Sequence, residues 1–424
     1  MQTLLAFIVV FGIIVIVHEF GHFYFAKKAG ILVREFSIGM GPKLFQTHKN
    51  ETSYTLRVLP LGGYVLMAGY EEEEDIRLGM PALLTLDEND YVTEIDLSDE
   101  SVEISGVPID VLDYDFDKEL WIKGSVGGDM ENTRTYQVNE DAMIVQEEGT
   151  RLQIAPANRQ VQNASLWDRI KTNFGGPLNN FLLAIVAFIF LAFLQGGVPS
   201  EAPIIGEVQP DSPVEETQVE TNDRVLTING EEISTWMEMR ATVQQHPNEP
   251  LEFEVEKPDG TILTETITPG VAEATDGTEV GVINVAVHME NSFLGNLAYG
   301  FTETWSNIKN IIASILMLVT GQLSMDALGG PVAIFELTGQ VTETAGIIGI
   351  VSFIGFLSVN LGLMNLLPIP ALDGGKLLIN VIEGVRGKPL SEEKETMLNL
   401  IGVVLLLLLM VVVTWNDIQR FFFN

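Results

Sequence analysis

Long uncharged apolar runs alternate with polar, acid-rich stretches along this chain. A helix of roughly 20 residues crosses a bilayer core. Runs long enough for that lie at residues 4–26, 181–198, 347–372 and 398–415. A fifth run, 308–319, is shorter and starts among Thr, Glu, Asn and Lys, which suits an interfacial helix better than a crossing. The pattern predicts a polytopic α-helical membrane protein with four transmembrane helices, within 1–26, 174–198, 346–375 and 397–416. Residues 36–45 and 54–65 are strand-like and rich in glycine, predicting a β hairpin within a membrane-associated region, 27–70. Residues 71–165 mix acidic and alternating apolar positions, as a small β-rich insert does. A further soluble segment covers 199–290, and 291–345 hold the interfacial helix and a loop.

Composition sharpens this division. Over 424 residues the mean hydropathy is +0.25 while the formal net charge is −35. One uniform globule rarely combines the two, but apolar spans alternating with acidic soluble parts do. The stretch 71–148 alone holds 24 Asp and Glu against 4 Lys and Arg, and its opening run, 71–75, reads as a solvated turn. Such acidity argues against a nucleic-acid partner, whose phosphates need Lys and Arg. There is no cysteine, so no disulfide or thiolate is available, and any metal must be held by His and carboxylate.

The first apolar run lacks a basic start and a small-residue cleavage site, so it is read as a retained helix rather than a secretory signal. Lys and Arg beside the spans set orientation. Lys27, Lys28 and Arg34 follow the first span, Arg169 and Lys171 precede the second, and Lys376, Arg386 and Lys388 follow the third. Residues 26–173 are then cytoplasmic and both termini lie outside. With four crossings, His18, His22 and Asp373 reach a similar depth towards the cytoplasmic side. A fifth crossing at 308–319 would carry Asp373 to the opposite face.

Within the first span, His18-Glu19-Phe20-Gly21-His22 has the His-Glu-x-x-His form. Positions four apart share a helix face, so both imidazoles can bind one ion with Glu19 beside them as general base. Ionisable groups are costly in hydrocarbon and mark function there. Zinc catalysis needs a third ligand and an open position. His48, His246 and His288 lie in polar contexts, which leaves Asp373 as the choice. It sits in Asn365-Leu-Leu-Pro-Ile-Pro-Ala-Leu-Asp-Gly-Gly375, where Pro368 and Pro370 interrupt a helix at membrane depth, as is tolerated where backbone lines a cavity. One Zn2+ would polarise the scissile carbonyl and activate water, Glu19 would move the proton, and Asn365 offers a donor to the developing oxyanion. A helical substrate must unwind locally, and the hairpin, with Gly39, Gly41, Gly62 and Gly63, could take it as an added strand.

These residues resemble the site-2 protease family of intramembrane zinc metalloproteases, in its bacterial RseP/RasP/Eep branch. His18 to His22 and Asn365 to Gly375 match its two signature motifs. Gly175-Gly-Pro-Leu-Asn-Asn180 matches a Gly-Pro-x-x-Asn element, and Gly39-Met-Gly-Pro42 looks like a membrane-re-entrant β element. The resemblance implies ligands at His18, His22 and Asp373, catalysis by Glu19, and positioning by Asn365 and Asn180. It implies a bacterial plasma-membrane protein that cuts transmembrane proteins or peptides: anti-sigma factors, remnant signal peptides or pheromone precursors. The outer segment, 203–268, is similar to one extracellular PDZ domain of the Gram-positive type, with Ile205, Gly206, Glu207 and Val208 as its peptide-binding edge strand. No obligate protein partner is implied.

Three other readings use the same residues. A transporter or metal scaffold would move ions with them, but inverted repeats are missing and Glu19 has no role there. A catalytically dead receptor would not keep the base with all three donors. Another zinc-protease class would supply a Glu ligand in place of Asp373.

Overall fold

The structure, a computed structural model, describes residues 2–69, 76–98, 106–126, 129–145, 151–273, 278–324 and 329–422. The acidic turn expected at 71–75 lies outside them. The chain divides into two compact units, Met1–Ile185 with Thr304–Asn424, and Val186–Glu303. Its α-helices are Gln2–Lys28 (α1), Leu166–Leu194 (α2), Trp236–Gln244 (α3), Phe293–Val319 (α4), Pro331–Asn365 (α5), Asp373–Arg386 (α6) and Glu392–Phe422 (α7).

Among the described residues four helical stretches are long and apolar enough to cross a membrane: α1, α2, α5 and Glu393–Arg420 of α7. The protein is thus a membrane protein. The short run 308–319, which contains Lys309, is the end of α4, whose other positions include Asn296, Glu303 and Asn307, and α4 is not among the four. In α1 the buried residues are Val10, Ile14, His18, Gly21, His22 and Ala26, a stripe stepping by three and four. Leu5, Val9, Phe20 and Tyr24 are exposed, as positions facing lipid would be. The two histidines therefore lie on the stripe that faces the rest of the protein.

The third span departs most from its sequence pattern. Spacing predicts 347–372, yet α5 starts at Pro331, kinks at Gly346 (φ 54°, ψ −136°) and stops at Asn365. The predicted start coincides with the kink. The predicted end fails because Pro368 and Pro370 lack an N–H and bias the residues before them away from helix. Residues 366–372 form a tight irregular turn in which Ala371 has φ 76°. Asp373 then opens a new helix, α6. At the other end of α5 the Asp417 carboxylate, buried in α7, accepts hydrogen bonds from Gly330 N (3.0 Å) and Ala333 N (3.0 Å). These satisfy first-turn donors that Gly330, lacking a side chain, cannot cap itself.

Between α1 and α2 run Val33–Lys49 (β1) and Thr52–Met67 (β2). Each strand doubles back on itself. The end of β1 is antiparallel to the start of β2 (Thr47 opposite Tyr54). The start of β1 lies between that segment (Phe36 opposite Tyr54, numbers rising together) and the end of β2 (Phe36 opposite Val65, antiparallel). The expected hairpin is therefore a four-segment sheet, ordered 43–49, 52–57, 33–38 and 63–67, whose outer edges are 43–49 and 63–67. The reversals fall at Gly39, Gly41 and Gly62, whose φ values of 86°, 83° and 86° are left-handed and open to glycine.

The acidic insert contains Pro81–Leu86 (β3), Val92–Asp96 (β4), Val107–Asp115 (β5), Trp121–Val126 (β6), Asp129–Val145 (β7) and Arg151–Gln153 (β8). Its ladder runs β4-β3-β5-β6-β7-β8, and β7 also pairs with β4 in parallel, so five strands close on themselves around Leu84, Ile95, Val111 and Ile122. Closure removes free edges.

The second unit holds Val198–Pro199 (β9), Ile205–Val208 (β10), Arg224–Ile228 (β11), Glu231–Glu232 (β12), Leu251–Glu256 (β13), Ile262–Ile267 (β14), Gly270–Glu273 (β15), Glu279–Val282 (β16), Val285–Val287 (β17) and Met289–Glu290 (β18). A sheet ordered β12-β11-β13-β14 accompanies the pairs β10-β17, β15-β16 and β9-β18. Thr235 and Glu238 form a capping box that starts α3. Met239 and Val243 of α3 share a core with Ile205, Phe253 and Ile283.

Replacing Asp417 with Ala strands two buried N–H groups and should lower stability by about 1–2 kcal/mol. Denaturant unfolding of the detergent-purified protein reads this, with Asp417→Asn expected in between; an unchanged midpoint in the Ala variant would refute the cap.

Candidate metal centre

His18 and His22 project from α1 and Asp373 from the first position of α6. Both histidine Nε2 atoms lie 3.3 Å from Asp373 Oδ2 and 3.2 Å from each other. All three residues are buried from solvent. His22 Nδ1 lies 2.8 Å from the carbonyl oxygen of Thr172, which can only accept, so Nδ1 carries the proton and Nε2 presents its lone pair to the cluster. Three acceptor atoms thus converge in a buried place, and Asp373 Oδ2 has no hydrogen-bond donor among the described residues. A cation between its members satisfies all three at once. With bonds of about 2.0–2.1 Å, a tetrahedral Zn2+ has ligand–ligand edges of roughly 3.3 Å, and the observed separations match that.

Helix α2 backs this arrangement. The Asn180 side-chain amide lies 3.1 Å from His18 Nδ1. The amide nitrogen Nδ2 is the atom placed there, and Oδ1 has no partner among the described residues; with Nε2 turned to the cluster, His18 Nδ1 carries the proton, which calls for the amide turned end for end so that its oxygen accepts. Asn180 is itself held by Ser358 Oγ, which donates to its carbonyl oxygen (2.8 Å). Asn179 donates to Val17 O (3.1 Å), bonding α2 to α1 just before His18. Contact this close needs glycine. A methyl on Gly21 would strike the Gly175 carbonyl, and one on Gly175 would come within 2.6 Å of Gly21 O. A methyl on Gly176 would collide with His22 Nε2 and lie 2.8 Å from His18 Nε2. Gly175, Gly176 and Thr172 are absent from the residue-level reading of the site. Only the Gly-Gly-Pro spacing signalled them, and a backbone carbonyl such as that of Thr172 leaves no mark in sequence.

Glu19 is half-buried, one position from His18. Of the four glycines expected near substrate, Gly63 reaches it: a Cβ there would be 3.2 Å from Glu19 Cγ and 3.3 Å from Val15. Gly39, Gly41 and Gly62 shape the sheet's turns instead. Arg57 joins the sheet's segments, donating to Ser37 Oγ (2.9 Å), Gly41 O (2.9 Å), Glu35 Oε1 (3.1 Å) and Tyr64 OH (2.6 Å), while Tyr64 OH donates to Glu35 Oε2 (2.7 Å). Asn365 closes α5 at the break, yet among the described residues no hydrogen bond joins its side chain to the donors.

Ile205, Gly206, Glu207 and Val208 need correction as a free edge strand. β10 pairs with β17 on one side (Ile205 opposite Val287, Val208 opposite Val285). On its other side Ile205 N donates to Asp223 O (2.8 Å), and Asn222 N donates to Ile205 O (2.7 Å). A strand's neighbours are set by tertiary pairing, which its own alternation does not reveal. Helix α3 abuts β16 instead, where a Cβ on Gly281 would strike the Val243 carbonyl.

A His-x-x-x-His pair and an aspartate meeting among membrane-length helices, with a spare carboxylate alongside, define a membrane-embedded metallopeptidase. The chain belongs to peptidase family M50, the site-2 protease family, whose model matches residues 6–409. It is 46% identical to an Enterococcus faecalis protein named "Probable protease eep" over all of both chains. It is 43% identical to the zinc metalloprotease RasP of Geobacillus kaustophilus, over all of this chain and 99% of that one. Among solved structures, a PDZ domain of an SdrC-like protein from Listeria monocytogenes covers 21% of this chain and 90% of its own, with a TM-score of 0.18 and 14% identity. The protein is a metalloprotease and its cofactor is Zn2+.

Gly176→Ala should drive the histidines apart and weaken Zn2+ retention on the order of tenfold or more. Metal analysis of the purified protein tests it, with Gly12→Ala, where nothing lies within 4 Å, as control. Equal zinc in both variants would mean that α2 can retreat without harm.

Proposed function

We propose that the protein is an intramembrane endopeptidase that cuts single-span membrane proteins or peptides within their hydrophobic segments. The observation that carries this reading is the convergence of His18, His22 and Asp373, with Glu19 beside them, on helices of membrane length. His18, His22 and Asp373 hold one Zn2+, which supplies Lewis acidity toward the scissile carbonyl and the attacking water. Glu19 accepts the proton of that water and returns it to the leaving nitrogen. Thr172 and Asn180 orient the two imidazoles by fixing the proton on Nδ1. Asn365, at the mouth of the broken segment, donates to the oxygen on which charge develops.

A peptide bond inside a helix is shielded, so the substrate must be extended before attack. The outer segment 63–67, whose Gly63 abuts Glu19, supports strand addition at the sheet's edge as the way this is done. The basic residues beside the spans support a bacterial plasma-membrane protein with both termini outside and the site toward the cytoplasm. The unit at 199–290 is read as an extracellular PDZ domain that filters substrates. The edge that β17 leaves unpaired among the described residues supports a peptide adding there as a further strand.

Co-expression with a tagged single-span substrate lacking its outer domain tests the reading by immunoblot. Wild type should give a shortened product, whereas Glu19→Gln should bind zinc normally and give a loss of cleavage of about 10²-fold or more. Equal product from both would sink the role of Glu19. Deleting 203–268 should widen substrate choice while leaving cleavage of the trimmed substrate intact; a folded but inactive truncation would contradict the filter.

A further inference from the structure

Asp373 is the one donor that does not come from α1, so its position depends on what holds α6. That helix lies between two breaks. Before it come the irregular residues 366–372 with Ala371 at φ 76°; after it Gly387 is left-handed at φ 67°. The turn before α6 packs on its first residues, and the far end of the helix needs a hold of its own. Its buried stripe is Gly374, Gly375, Ile379, Asn380 and Glu383, so one face runs from the donor end to a carboxylate ten residues on. Those ten residues span about 15 Å of helix.

Glu383 is 5% exposed. Arg169 of α2 donates through Nη2 to Glu383 Oε2 at 2.6 Å, and Leu390 N donates to Oε1 at 2.5 Å. Leu166 of α2 packs closely there too, since a methyl on Gly384 would lie 2.8 Å from its Cδ2. Arg169 stands one helical turn before Thr172, whose carbonyl orients His22, and two turns before Gly176, which lies against both imidazoles. Helix α2 thus touches the metal centre at one point and the far end of α6 at another. A buried carboxylate deprived of its cation is strongly unfavourable, so loss of Arg169 favours any shift of α6 that brings Glu383 to water.

We infer that the Arg169–Glu383 pair positions α6 so that Asp373 meets the two histidines, and that zinc affinity depends on it. Neither residue touches metal or substrate; both act through Asp373. This inference rests on the three-donor reading of the metal centre.

The test uses the full chain purified in detergent, with zinc affinity measured by competition against a chromophoric chelator. Unfolding of the zinc-stripped protein is followed in parallel. Arg169→Ala and Glu383→Gln should each weaken zinc binding ~10–100-fold, the range for residues that support metal ligands. The double variant should be no worse than the weaker single, as for two groups acting as a unit. Arg169→Lys keeps the charge and should recover most of the affinity, and it also reads the pair if Arg169→Ala does not fold. A purely structural tether would lower the unfolding midpoint of the zinc-stripped protein and leave the affinity within about threefold of wild type, overturning the inference. Asp373→Ala separates the two levels. Loss of zinc there with normal affinity in the pair variants sinks the positioning role alone, whereas full affinity in Asp373→Ala sinks the three-donor site itself.

Discussion

Two imidazole nitrogens and a carboxylate oxygen are held within 3.3 Å of one another, buried from water, with no proton donor directed at Asp373 Oδ2 among the described residues. Without a cation that arrangement is repulsive, and inside a membrane no solvent relieves it. Much of the membrane unit serves to keep the three atoms there. Small residues let α2 come against α1 until the backbones touch, as membrane helices do where packing replaces the hydrophobic effect. The Thr172 carbonyl, on that same helix, then settles that His22 carries its proton on Nδ1, and Asn180 lies against His18 Nδ1.

The third donor needs the opposite of close helical order. A continuous helix through 347–372 would leave Asp373 wherever the helical rotation carried it. Pro368 and Pro370 end α5, the irregular turn redirects the chain, and α6 begins at the donor. Gly374 and Gly375 fit the turn because a Cβ on either would strike the carbonyls of Leu367 or Ile369. Gly402 of α7 does likewise against Pro370. The irregular backbone is thus half-buried, packed against the start of α6 and against α7, and such protein contact is what makes broken helix tolerable at membrane depth.

Outside the helices the two β assemblies of this unit treat their edges differently. The acidic insert closes its ladder through β4 and β7, which removes the edge a foreign strand could join. The four-segment sheet of β1 and β2 leaves segment 63–67 outermost beside Glu19. Arg57, Glu35 and Tyr64 tie it by hydrogen bonds to the segment beside it.

Much was legible in the residue string because membrane and metal chemistry act through local rules. Four apolar runs of sufficient length could only be spans, and His at i and i+4 with Glu between them share a face whatever surrounds them. A carboxylate among Pro and Gly at membrane depth stood out as the partner. The resemblance carried by the two motifs gave the family, and the full-length similarity bears that out. What the string withheld is what depends on neighbours distant in sequence. Strand pairing placed β10 against β17 and folded a hairpin into four segments. The Thr172 carbonyl has no side-chain signature, and the close approach of Gly176 to the imidazoles follows from the packing of α2 on α1. Asp417 capping α5 and Arg169 gripping Glu383 join residues 84 and 214 positions apart. Periodicity and motif fix what each segment can be; which segments meet is decided by the packing of the whole chain, so only the tertiary structure holds it.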